Sequence, residues 1–403
     1  IVTFLKLRTS YGISGNAEIG NFTWQGTFSP GANYNNQPGV RPLQLANTDL
    51  SWETSRQLDI ALDFGLLSDR ITGSINYYNR VSKDMLLNER VPGSSGFQSI
   101  IRNIGQMSNQ GMEFNIRSFN LTGDFEWSSD FNITYNVNKI DNLGSTTSPD
   151  AIDLGFGETR AIVGQPFATF FIVRSAGVDA ATGAPLYFRP KTVNGVVQNG
   201  LNGASVDLEV ARDAQGNPLP WNAGWRVPTG QNYPDFFGGF TNTFRWKNFD
   251  LSILINFQFG NKIYDDAGKR LVGNIGFGWN QMTKTMDRWQ KPGDVTDVPR
   301  LSLTENRDIN TDRFIYDGSF VRLRNITLGY TLPKTLLEEY GVSRVRIYAT
   351  AINPALLYNN FPGWDPELVR DHGNDQQRNG NQSVTYLAPP QARTLTIGFN
   401  IDF

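Results

Sequence analysis

The chain has 403 residues, no Cys, one His and a formal net charge of -2. Such a length admits two or three ordinary domains or one large β-structure. The composition excludes disulfides and Cys chemistry, argues against a His-built zinc centre, and lacks the basic excess that nucleic acid binding needs.

No apolar run approaches the ~20 residues of a spanning helix. A barrel strand needs no such run, because its lipid-facing and lumen-facing residues alternate. The chain opens as strand at Ile1-Val2-Thr3-Phe4-Leu5. The charged, apolar and cleavage-site parts of a leader are missing there, so a fragment or a processed product is expected.

Taken in order, Leu58, Ile60, Leu62 and Phe64 alternate with Gln57, Asp59 and Asp63. Ile71, Gly73, Ile75 and Tyr77 follow, then Met112, Phe114 and Ile116. The longest case sets Phe125, Trp127, Phe131, Ile133, Tyr135 and Val137 against a polar opposite face. It runs well beyond the ~5–6 residues of a globular strand. Phe167–Val173 also reads as strand, either in an extracellular fold or as one of a pair of crossings. Further alternation covers Phe236–Trp246 and Phe249–Phe259, and more weakly Val345, Ile347, Ala349 and Ala351. Between these last two, residues 320–332 change phase: Val321 and Leu323 are odd, but Ile326, Leu328 and Tyr330 are even. A β-bulge is expected near Arg324 and Asn325, leaving Arg322 and Arg324 facing the lumen. Facing lipid near the midplane, each would cost ~2–4 kcal/mol. A helical turn is expected at 335–340.

The connections alternate in length. Residues 66–69, 121–124 and 247–248 are short, and 333–344 is somewhat longer. Links 15–50, 84–109, 139–234, 261–318 and 353–391 are long and rich in Gly, Asn, Pro and Asp. Short turns on one side and long loops on the other mark an outer-membrane barrel with its long loops outside. The expected fold is an all-β transmembrane antiparallel barrel, with about ten crossings in this chain.

No catalytic constellation is apparent, so no enzyme activity, cofactor or metal is expected. His372 lies in a polar loop and reads as solvated, as does the pair Asp265-Asp266. Asp179–Gly183 and residues 207–213 read as turn chemistry rather than calcium loops. Gly12, Gly15 and Gly20 precede no helix and make no phosphate cradle. Trp24, Trp221, Trp225, Tyr233, Trp279, Trp289 and Trp364 sit in the long links, at the expected mouth. They are candidate ligand or lid contacts, or loop anchors.

The last strand alternates Leu395, Ile397, Phe399, Ile401 and Phe403 with small or polar residues. Phe399, Ile401 and Phe403 look like the terminal signal read by the barrel assembly machinery. Ordered motifs then carry a family resemblance. They include Leu50-Ser51-Trp52-Glu53-Thr54, Gly105-Gln106-Met107-Ser108-Asn109-Gln110-Gly111-Met112-Glu113, Tyr233-Pro234-Asp235-Phe236 and Asp287-Arg288-Trp289. Ser319-Phe320-Val321-Arg322-Leu323-Arg324-Asn325 and Pro362-Gly363-Trp364-Asp365-Pro366-Glu367 complete the series.

From near Leu50 to the end, the chain resembles the SusC/RagA family of TonB-linked outer-membrane proteins. The resemblance implies that residues 1–403 are the C-terminal part of a barrel of roughly 22 strands. It implies a plug that lies before this region and is absent from this chain. It also implies contact with the TonB complex through that missing part, and a SusD-like lipoprotein over the mouth. Oligosaccharide or peptide import follows as the expected function. Two other readings stay open: a barrel kept as a structural or docking subunit, and a soluble glycan-binding β-protein.

Overall fold

In the computed structural model all residues are described except 98, 145–150, 155–156, 194–195, 202–204, 304–309, 338–340, 371–379 and 381. His372 and the end of the expected helical turn lie outside the described residues. A 3-10 turn at Lys334–Leu336 stands where that helical turn begins.

Ten long strands form one antiparallel sheet in simple chain order. They are β1 (Val2–Asn16), β2 (Glu53–Leu66), β3 (Ile71–Arg90), β4 (Ser99–Thr122) and β5 (Phe125–Asn142). The second half is β6 (Phe236–Trp246), β7 (Phe249–Phe259), β8 (Phe320–Thr331), β9 (Arg344–Asn359) and β10 (Thr394–Asp402). Connections 67–70, 123–124, 247–248 and 332–343 lie at one end. Connections 17–52, 91–98, 143–235, 260–319 and 360–393 lie at the other.

Register explains why the alternation is legible. Phe236, Phe240, Phe244 and Trp246 stand opposite Tyr135, Phe131, Trp127 and Phe125. Phe249, Leu251, Ile253 and Ile255 stand opposite Tyr330, Leu328, Ile326 and Leu323. Directly opposed residues share a face, so one face is apolar from strand to strand. That face is bare: Ile75, Tyr135, Phe236, Trp246, Leu328, Ile397 and Phe399 are all exposed. Leu251, Ile253 and Ile255 are not buried either. A soluble β-protein would hide such a surface, which sets aside the soluble reading.

The core lies instead among the long links. Phe170, Ile172, Tyr264, Val272, Val298, Phe314 and Val384 form one buried cluster. A second joins Ile140 of β5 to Leu154, Ala161 and Ala168. Ile140 is on the opposite face from Val137, so this loop fold packs against the polar side of the wall.

Thr169–Val173 is a fully buried strand in a four-stranded sheet of that loop fold, not a crossing. Of the two placements left open, the extracellular fold is the one observed.

The bulge expected at Arg324 is present, because Leu254 and Ile255 pair with Asn325 and Leu323 and leave Arg324 unopposed. The link expected at 84–109 is mostly strand. Met85 to Arg90 pair with Gly105 to Ser99, leaving 91–98 as the connection. A register shift at Lys83 and Asp84, with Asp84 at φ 57°, breaks the alternation and hides this extension from a period-2 reading.

Candidate functional site

On the polar face, the bulge in β8 carries a charged junction. Arg322 and Asp365 are both buried and form an ion pair. Arg322 Nε lies 2.6 Å from Glu367 Oε2. Arg324 Nη2 donates to Glu367 Oε1 at 2.5 Å, and its Nη1 donates to Asn353 Oδ1 at 2.9 Å and Gln391 Oε1 at 3.0 Å. Two arginines of the wall thus pin the 360–393 link. Two residues apart, both guanidinium groups share the polar face, and the bulge lets Ile326 and Leu328 after them return to the apolar one.

A second junction ties three long links together. Lys269 Nζ lies 2.6 Å from Asp266 and donates to Asn310 Oδ1 at 2.5 Å. Arg370 Nη1 donates to Asp266 Oδ2 at 2.7 Å, and Glu158 lies 4.0 Å from Lys269. Asp266 is wholly buried, which overturns its reading as solvated. Lys269 and Arg270 are three and four positions away, but Arg370 comes from another link, and nothing in the local sequence signals that the site is closed. Burial pushes the Asp265 carboxyl up from its ordinary range. Burial also raises that of Glu158, outweighing the attraction of Lys269.

The polar face of the wall also lines a cavity of about 480 Å³ among Asp59, Tyr78, Arg80, Glu113, Asn136 and Phe237. Tyr78 donates to Asn136 Oδ1 at 2.6 Å, and Asn76 Nδ2 donates to Glu113 Oε2 at 3.1 Å. Another cavity, of about 520 Å³, lies in the loop fold beside Thr169, Arg174, Leu208, Val227 and Lys262.

The seven long-link aromatics do not gather into one pocket. Trp24, Trp279 and Trp364 are exposed. Trp289 is an anchor: its Nε1 donates to the Ala180 carbonyl at 3.0 Å, and its ring fills the space a side chain at Gly183 would need. Trp221 Nε1 reaches the Asn310 carbonyl at 3.4 Å. Trp225 ends a 3-10 turn, and burial raises the Tyr233 phenol above its ordinary range. The Asp179 turn forms as expected, with its carboxylate accepting from Ala181 N, Thr182 N and Thr182 Oγ1. Asp213 closes a second turn onto Gln215 and Asn217.

A bare apolar face, a polar face partly covered by the loop fold and segregated short and long connections define an outer-membrane β-barrel wall. The family model described as TonB dependent receptor-like, beta-barrel matches residues 3–353, and the chain belongs to that family.

It is 34% identical over 417 residues to TonB-dependent receptor P3 of Formosa agariphila, covering 100% of this chain and 40% of that protein. It is 29% identical over 430 residues to TonB-dependent receptor SusC of Bacteroides thetaiotaomicron, covering 100% and 38%. The solved RagAB peptide transporter superposes with a TM-score of 0.81 at 24% identity, over 100% of this chain and 41% of that one, a likeness of fold. The chain spans about two-fifths of the length of the curated relatives it matches. The SusC/RagA resemblance read from the ordered motifs therefore holds.

Proposed function

We propose that the chain supplies barrel wall and extracellular loop fold to a TonB-dependent importer of large nutrients, oligosaccharides or peptides. The observation that carries this reading is the division of the molecule: a bare apolar wall, with long links folded together at one end. Such a fold can narrow a mouth too wide for selective passage. The polar cavity on the wall and the junction at Arg322 and Arg324 then face the lumen. Exposed Trp24, Trp279 and Trp364 offer flat surfaces to cargo or to a SusD-like lipoprotein lid, while Trp221, Trp225, Tyr233 and Trp289 hold the loops that present them. Energy arrives through TonB. Phe399, Ile401 and Phe403 serve recognition by the assembly machinery. No bond of the cargo is made or broken in this scheme.

Uptake of labelled oligosaccharide or peptide pools by cells with and without TonB tests the reading. Uptake that falls to background without TonB is the expected result. Uptake unchanged by its loss would overturn energised import.

A further inference from the structure

We propose that Arg56, Lys83 and Lys139 form a docking arc, on the outward face of the wall, for phosphate groups of outer-leaflet lipid. The inference goes beyond import. It rests on the outer-membrane location and on the long links facing outside.

Register places all three side chains on the lipid side. Arg56 stands opposite Ile13 and Val81, two positions from Leu58. Lys83 stands opposite Thr54, on the same face as Arg56. Lys139 stands opposite Ser108, two positions beyond Val137. Ile140, the next residue, turns inward and is buried by the loop fold, which fixes Lys139 as outward.

Height agrees. An apolar band of ~25 Å, crossed by strands tilted ~40° at ~3.3 Å per residue, ends about ten residues from the short turn. Counted from Leu66, Ile71 and Phe125, the three cations stand about ten, twelve and fourteen positions up their own strands. The outward face below them is ordered like the bilayer. Tyr77, Met112 and Tyr135 form one register row, and the next holds Leu58, Asn79, Gln110 and Val137. The row after that holds Arg56, Val81, Ser108 and Lys139. Apolar and aromatic groups thus give way to neutral donors and then to cations.

Two nearby cations are already engaged. Arg80 Nε donates to Ser55 Oγ at 2.7 Å, and Arg102 lies 3.1 Å from Glu89. Arg56, Lys83 and Lys139 make no side-chain hydrogen bond or ion pair among the described residues. Arg56 and Lys139 are exposed and Lys83 is half-buried. Their long stems lie along the apolar wall while their heads reach the interface. There a phosphate is the complementary charge, with Asn79, Ser108 and Gln110 as neutral donors. Two carboxylates oppose this: Asp84 accepts from Thr54 Oγ1 at 3.3 Å beside Lys83, and Asp141, two residues past Lys139, accepts from Gln106 Nε2 at 3.4 Å.

The test uses the full-length protein in non-ionic detergent, with native mass spectrometry reading retained lipid. The probes are bisphosphorylated lipid A and the same lipid stripped of phosphate. Wild type should retain the phosphorylated form about tenfold better or more, given the attraction each cation has for an anionic surface. The combined variant R56Q/K83Q/K139Q should retain both forms alike, D84N should retain more of the phosphorylated form, and Lys247→Gln at the opposite end should change nothing. Equal retention of both lipids by wild type, or undiminished retention by the triple variant, overturns the proposal. So does displacement by inorganic phosphate alone, which would mark a site for the free ion. The wild-type comparison needs no variant to fold. Failed uptake with intact lipid retention would count against import alone.

Discussion

At single residues the weight falls on buried charge. Replacing Arg322 by Ala leaves Asp365 without its ion partner in a closed site. Breaking a buried pair from one side costs about 3–5 kcal/mol, whereas replacing both partners by apolar groups costs far less. Arg322→Ala should therefore release the 360–393 link to limited proteolysis, and the double change Arg322→Leu with Asp365→Leu should restore much of the protection. Equal cleavage of both variants would show that the pair does not hold the link. Glu158 gives a pH-dependent counterpart. Its folded-state pKa is raised by burial, so the folded chain keeps this proton to higher pH than the unfolded chain does. The associated stability is complete below the ordinary carboxyl pKa and is lost as pH rises through the raised one. Hydrogen exchange across Thr169–Val173 should therefore match in wild type and Glu158→Gln under acid conditions. At neutral pH the Gln variant should exchange more slowly.

At the level of strands, the alternation predicts tolerance one residue at a time. Ile253 and Ser252 are neighbours on β7 but face opposite sides, since Ile253 pairs with Ile326 and Ser252 with Thr327. Ile253→Arg should cost ~2–4 kcal/mol near the midplane and lower the assembled, heat-modifiable fraction on gels. Ser252→Arg should assemble nearly as wild type, and a reversed order would mean the faces are swapped. The same period made the wall legible in the amino-acid sequence, down to the bulge that leaves Arg324 unopposed. It failed at Lys83 and Asp84, where a shift of phase conceals paired strand. It also said little about the loop fold. There the strands are short, as in Thr169–Val173, and the contacts join distant links, as when Tyr264 pairs in parallel with Val384. Asp266 shows the cost of that gap: its nearest sequence neighbours suggest a surface, and its partner Arg370 comes from another link.

For the molecule as a whole, the apolar band and the loop core make opposite demands on solvent. Trp246 and Phe249 flank a two-residue turn at the short-turn rim, and Lys247 lies 5.0 Å from the centre of the Trp246 ring. Aromatics in that setting anchor the membrane–water boundary. Trp289, held by the Ala180 carbonyl and seated on Gly183, belongs to the loop fold and should never meet lipid. Brominated acyl chains separate the two, because bromine quenches only indoles it can approach. In vesicles of brominated lipid, Trp246→Phe should remove part of the quenchable emission, and Trp289→Phe should remove only emission that bromine leaves untouched. An unquenched Trp246 would place the band away from hydrocarbon and undo the barrel-wall orientation. A quenched Trp289 would mean that the long links fold against the membrane rather than over the mouth.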